Sequence, residues 1–219
     1  MVLSAIDHLV WAVADLDRAT AEIERDWGVK PAFGGRHEGR GTHNALLSLG
    51  GTTYLEVIAP DPAQGEPEFS LPFGLGPDLP LPALVSFAVT TPGLTERVGE
   101  LRSEGYDPGE PLAMSRVRPD GVRLEWTLTL PPEPGFSPRG ELIAGLPFLI
   151  DWGNTPSPAL DSPRGCSLVS LTVFRSDPTE ARRLARVLDL LDCGVEVVAG
   201  GRDAVEAVVD TPRGRRSLV

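Results

Sequence analysis

One pattern constrains this chain of 219 residues more than any other: a strand-like run, a capped helix and further strand-like runs, three times over. In the first copy AIDHLVWAVA (5–14) reads as a strand. DLDRATAEIERDWGV then reads as a helix, with Asp15 placed to cap it, Ala19, Ile23 and Trp27 at helical spacing, and Gly28 just past its end. A Gly/Arg/His-rich loop, GGRHEGRG, leads into THNALLSLG and TTYLEVIAP, two strand-like runs about Gly50-Gly51. The second copy has ALVSFAVTT (83–91), then a helix with Leu94, Val98 and Leu101 on one face. Two strands about Pro119-Asp120-Gly121 and a last strand, LPFLIDW, complete it. The third has SLVSLTVF (167–174), then a helix capped by Asp177 with Pro178 in its first turn. VEVVAG, AVEAVVDTP and GRRSLV come after it as strands.

The repeat divides the chain into βαβββ units at 1–62 and 83–153 and a smaller βαβββ-like unit at 166–219. Segments 63–82 and 154–165 are dense in Pro and Gly, lack periodicity and read as linkers. The fold class is therefore α+β.

Charge and cysteine usage narrow the function classes. The formal net charge is -11, which repels a phosphate backbone and argues against nucleic acid as a partner. Cys166 and Cys193 form no CxxC and have no nearby His, which argues against a cysteine-based zinc site. Asp7 and Asp15 interrupt the first apolar run and no basic segment precedes it, which argues against a signal peptide. No stretch reaches the roughly 18 apolar residues of a membrane span, so the expectation is a cytoplasmic protein with no membrane partner.

The motif H-x-G-x-G-T-x-N-A-L (His37 to Leu46), followed by YLEVIAPDP (54–62), resembles the glyoxalase-like domain proteins of the vicinal oxygen chelate superfamily. That superfamily groups glyoxalases, bleomycin-resistance proteins and extradiol dioxygenases. RPDG followed by LEWTLTLP, and then LPFLIDW, are similar to segments of the same proteins. The resemblance implies curved mixed sheets, one from each βαβββ unit, that enclose a cavity. It also implies a divalent metal (Fe, Mn, Ni, Zn or Mg) held by side chains from the first and last strands of two paired units. Carried over, it places His8 and Glu56 as ligands from unit one. Aligning YLEVI with FLIDW gives Asp151, within one residue, as the ligand from unit two. The fourth position falls on Leu84, and on Ser170 in the third unit, neither of which suits a metal.

The residues themselves add a chemical reading. Glu56 sits in a run too apolar to face water on both sides, so its carboxylate needs a partner, and it suits a general base acting beside a carbonyl. His37, His43, Asn44 and Arg40, in and after the glycine-rich loop, are candidates to bind an oxygen-rich ligand, as is Trp126 on a strand of unit two. His43 shares its strand face with Ala45 and Leu47, a face that is either core or cavity. The expectation is a glyoxalase-like protein that binds a small oxygen-rich organic molecule between the sheets. Its chemistry would be metal-assisted, of lyase, isomerase or dioxygenase type; the alternative is metal-free sequestration of a small molecule. The two units pair in cis, or each pairs with a neighbour's unit in a homodimer.

Overall fold

Polar caps and apolar stripes set the helices, and β-branched and apolar runs set the strands. β1 (Ile6–Ala12), α1 (Leu16–Trp27), β2 (Ala32–His37), β3 (Thr42–Ser48) and β4 (Tyr54–Pro60) come first. The order returns as β5 (Ala83–Thr90), α2 (Leu94–Ser103), β6 (Pro111–Val117), β7 (Arg123–Thr129) and β8 (Pro147–Asp151). It returns once more as β9 (Ser167–Arg175), α3 (Pro178–Leu190), β10 (Glu196–Ala199), β11 (Ala204–Thr211) and β12 (Gly214–Leu218). This computed structural model describes residues 3, 5–65, 71–76, 79–118, 121–130 and 145–219. Of the turn expected at Pro119-Asp120-Gly121, the first two residues lie outside that set. Gly121 closes it, its N–H donating to the Arg118 carbonyl at 2.9 Å.

The caps act where the sequence places them. Asp15 accepts from the Arg18 N–H and Gly28 ends α1 in the left-handed region. Leu16, Ala19, Ile23 and Trp27 form the buried stripe of that helix. Asp177 accepts from the Thr179 N–H at the start of α3, which buries Ala181, Leu184, Val187 and Leu188.

One expectation fails locally. The GGRHEGRG segment is not a loop from its first residue: the chain stays extended through His37, and β2 pairs with β3 as Gly35 to Asn44, Arg36 to His43 and His37 to Thr42. Backbone pairing overrides the poor strand propensity of two glycines, and the missing side chain at Gly34 lets the strand pass close over Asn44.

The first two units join edge to edge into one eight-stranded sheet, in the order β2-β3-β4-β1-β5-β8-β7-β6. Within each of them the last strand lies parallel beside the first, β4 on β1 and β8 on β5. The antiparallel β1–β5 pair makes the seam between them. The sheet curls until its two edges approach, and Arg116 of β6 reaches Asn44 of β3. The third unit forms a separate four-stranded sheet, β10-β9-β11-β12, with a different pairing: here the second strand, β10, lies parallel beside β9.

Strand alternation then splits the large sheet into two faces. Its outer face carries Leu9, Leu47, Leu55, Phe87 and Leu149 against the three helices and the small sheet. Its inner face carries Val10, Ala12, Ile58, Ala88, Phe148 and Ile150, covered in part by Leu71, Phe73, Leu79 and Leu81. Each fully buried Leu or Phe contributes about 1.5–3 kcal/mol. The inner face is the one that carries polar groups of interest.

Candidate functional site

His8 points to the inner face because β1 is irregular at its start. The pairing of β1 with β5 shifts between Ile6 and His8, so Asp7 and His8 do not simply alternate. The ring of His8 stacks on Tyr54 at 4.7 Å between centroids and meets Phe148 edge-on at 5.3 Å. Its Nδ1–H donates to Asp7 Oδ1 at 2.7 Å. The other oxygen of Asp7 accepts from Trp152 Nε1–H at 2.9 Å and Thr90 Oγ1–H at 3.1 Å, both from the second unit. The carboxylate is thus satisfied on both oxygens, and it sets which nitrogen of His8 carries the proton.

Glu56 lies two residues along β4 from Tyr54, on the same face. Asn44 Nδ2–H donates to its Oε1 at 2.5 Å. Its Oε2 faces His8 Nε2 across 3.6 Å, beyond a direct hydrogen bond. With Nδ1–H turned to Asp7, the two facing atoms are both acceptors when His8 is neutral and Glu56 ionised. The gap therefore calls for one proton, or for a donor brought by a ligand.

Asn44 is fixed on both ends of its amide. Its Oδ1 accepts from Arg116 Nη1–H at 3.3 Å, and its Nδ2–H also approaches His37 Nε2 at 3.2 Å. Arginine only donates and a carboxylate only accepts, so the opposite amide orientation would lose both contacts. His37 must accept through Nε2, so its Nδ1–H donates to Thr42 Oγ1 at 2.8 Å. Gly34 passes directly over this junction: a Cβ there would stand 2.4 Å from Asn44 Oδ1 and 2.6 Å from Arg116 Nη1.

The structure thus brings together four of the residues singled out in the sequence: His8, Glu56, Asn44 and His37. Arg40 is exposed at the turn after β2, with Nη2 3.9 Å from Met114 Sδ on β6. Trp126 packs on Trp152 at 5.2 Å, on the inner face. His43 and Asp151 stand elsewhere. His43 shares the face of Ala45 and Leu47, which is the outer core, and its Nδ1 lies 4.0 Å from Asp61. Asp151 accepts from the N–H groups of Gly93 and Gly153 instead, beside the start of α2. Phe148 pairs with Ala88 as Tyr54 pairs with His8, so Ile150 takes the place of Glu56 and Asp151 falls one residue further, on the other face. Leu84 is not opposite His8 either: it pairs with Trp11 and joins the outer core. Sequence reasoning misses two members of the site, Asp7 and Arg116. The signal for Asp7 is the Asp-His dipeptide, and for Arg116 an arginine inside an otherwise regular strand, MSRV.

A cleft of about 220 Å³ opens beside these groups, lined among others by Gly34, Leu46, Arg116, Leu124 and Pro158. Leu46 is the cross-strand partner of Glu56. Contacts run from the cleft through Arg116, Asn44, Glu56 and His8 to Asp7.

The family described as the glyoxalase-like domain matches the chain over residues 6–188. The chain belongs to that family. A hypothetical protein from Staphylococcus aureus shares the glyoxalase-like fold, with a TM-score of 0.63 at 15% identity over 97% of this chain and 84% of that one. A variant of Streptomyces coelicolor methylmalonyl-CoA epimerase in complex with 2-nitronate-propionyl-CoA is similar at 21% identity, covering 72% of this chain and 100% of its own, with a TM-score of 0.45. Methylmalonyl-CoA epimerase from Mycobacterium tuberculosis is similar at 22% identity over 72% and 91% of the two chains, with a TM-score of 0.40. No curated protein matches the chain.

The superfamily implies a divalent metal, and the donors of this glyoxalase-like site can be tested for one. His8 Nε2 and Glu56 Oε2 face each other, but the nearest third donor, His37 Nε2, is already taken by the Asn44 amide. The corresponding places in the second unit hold Ala88 and Ile150, which have no donor atoms in their side chains. Among the described residues no three His, Cys, Asp or Glu side chains are gathered to hold an ion. This donor set does not fit a resident metal.

Burial dominates the electrostatics of the glyoxalase-like site. It lowers the pKa of His37 despite the opposing charge of Glu56, so that ring is neutral at pH 7, in keeping with its bonds. It pushes the Tyr54 hydroxyl well above its ordinary value, with Asp7 and Glu56 adding to the shift. It pulls Arg116 down, while Tyr54 and Glu56 push the other way. Among the described residues no helix is long and apolar enough to cross a membrane.

Proposed function

We propose that this glyoxalase-like protein binds a small oxygen-rich organic molecule that reaches from the cleft, past Arg116 and Asn44, to Glu56 and His8 on the inner face, and moves a proton there on a carbon beside a carbonyl, without a resident metal. The observation that carries the reading is the pair of facing acceptors, Glu56 Oε2 and His8 Nε2, 3.6 Å apart and each anchored from behind. Glu56 takes the carbon-bound proton, and the electron pair moves onto the carbonyl oxygen as an enolate. Glu56 passes that proton to His8 Nε2, and the resulting imidazolium returns it to the enolate oxygen or to the neighbouring carbon. Asp7 stabilises the imidazolium that exists between those events, and Arg116, acting through Asn44, steadies the charge of Glu56. Isomerase and lyase outcomes share this first step.

The second reading is a metal-free binder that sequesters its ligand without chemistry. It is favoured by the side chains of Ala88 and Ile150, which carry no donors and leave the second unit's part of the inner face chemically inert.

Solvent exchange separates the two. Dihydroxyacetone, glycolaldehyde and pyruvate in D₂O serve as probes, with loss of the α-proton signal followed by NMR. Wild-type protein is expected to accelerate exchange of at least one probe, and Glu56→Gln to slow it by about 10²-fold or more. No acceleration of any probe, or the same rate in Glu56→Gln, overturns the catalytic reading.

A further inference from the structure

The cleft is walled by a buried guanidinium with no matching anion. Arg116 is 6 % exposed. Its described hydrogen bond goes to a neutral oxygen, Asn44 Oδ1. Among the described residues no carboxylate oxygen lies within 4.0 Å of it, and Asn44 stands between it and Glu56. Arg118, which lines the same cleft, is different: its Nη1 holds Asp161 Oδ2 at 2.7 Å. Arginine does not give up its proton in a protein, so burial leaves a full charge that meets water only at the cleft. Such a charge is retained at a cost unless something completes it.

We propose that the missing anion is the carboxylate of a ligand, and that Arg116 is the carboxylate-binding residue of the cleft. The surroundings narrow the class. Ala32, Phe33, Leu46, Leu124 and Pro158 make the walls largely apolar, and about 220 Å³ is space for an acid of a few carbons. A dianion is disfavoured, because Asp161 contributes a carboxylate to the same wall. The ligand is therefore a small monocarboxylic acid. The inference rests on the acid–base reading for the chemical step after binding, and it gives that reading a substrate class: acids with a hydroxyl or oxo group next to the carboxylate.

Glycolate and its uncharged isostere glycolamide test the assignment, added at matched ionic strength while thermal unfolding of the whole protein is followed. Glycolate is expected to raise the melting temperature of wild type in a saturable way, as a ligand of the folded state does, and glycolamide is not. In Arg116→Gln the apparent affinity for glycolate is expected to fall at least tenfold. In Glu56→Gln the glycolate response is expected to persist even where proton exchange is lost, so that failure of the acid–base reading and failure of this one give different results. Equal responses to glycolate and glycolamide, or an undiminished glycolate response in Arg116→Gln, overturn the proposal. If Arg116→Gln does not fold, the Arg116 Nε–H resonance of wild type decides: movement with glycolate alone supports the assignment, and no movement ends it.

Discussion

Asp7 and His8 are neighbours in the chain, yet Asp7 Oδ1 and His8 Nδ1 meet at 2.7 Å on the inner face of the sheet. Adjacent residues of a regular strand point to opposite faces, so this contact exists only because the pairing of β1 with β5 slips between Ile6 and His8. The slip turns a buried carboxylate, a liability in an apolar strand, into the group that orients an imidazole.

Asp7→Asn tests that orientation. The variant keeps the shape and the bonds from Trp152 and Thr90, but an amide can present either end to the ring. The expected outcome is a mixture of His8 tautomers in ¹⁵N NMR and a fall of about 10²–10⁴ in the rate of probe exchange. A single Nδ1–H tautomer with full exchange would show that the carboxylate charge is unimportant.

The buried ring of His37 makes stability depend on pH. Its pKa in the folded protein lies below the ordinary 6.5, so the folded state binds fewer protons than the unfolded state once the pH drops below that value. Stability is unaffected by this group above about pH 6.5 and is lost as the pH falls from there through the lowered folded-state value. Denaturant midpoints of wild type and His37→Gln, measured from about pH 8 down to about pH 4.5, are expected to show the flatter acid limb in the variant. A steeper limb would reverse the sign of the argument.

Gly34→Ala probes the junction of Asn44 and Arg116. The added Cβ meets only the ends of two flexible side chains at its closest approaches, so the fold is expected to survive at a cost of about 1–3 kcal/mol. The Asn44–Arg116 hydrogen bond is not, and probe exchange is expected to drop about tenfold or more, roughly the loss of one charge-assisted bond. Gly109→Ala is the contrast. There φ is +95° and the new Cβ would lie 1.8 Å from the Leu130 carbonyl oxygen, a backbone atom that cannot step aside. Melting curves should place Gly109→Ala well below Gly34→Ala.

Much of this is legible in the sequence, and the residues show why. The helices of the first and third units announce themselves through Asp15 and Asp177 caps and clean apolar stripes, because those signals are local. His8 and Glu56 can be placed on strands for the same reason. The misplaced residues depend on strand register, which local sequence does not carry. A shift of one residue moves Asp151 off the inner face, and the bulge in β1 hides Asp7. His43 is ambiguous between core and cavity because alternation says which residues share a face, not what that face touches. Arg116 is invisible because its partner, Asn44, is distant in the chain and meets it only when the sheet curls.

The bonds from Trp152 and Thr90 to Asp7 cross the β1–β5 seam. The proposed acid–base groups Asp7, His8 and Glu56 all belong to one half of the large sheet, while the other half, with alanine and isoleucine where donors would stand, supplies Arg116 and the bonds that keep them aligned. Severing the two halves would leave Asp7, His8 and Glu56 on one strand pair and would still be expected to silence them.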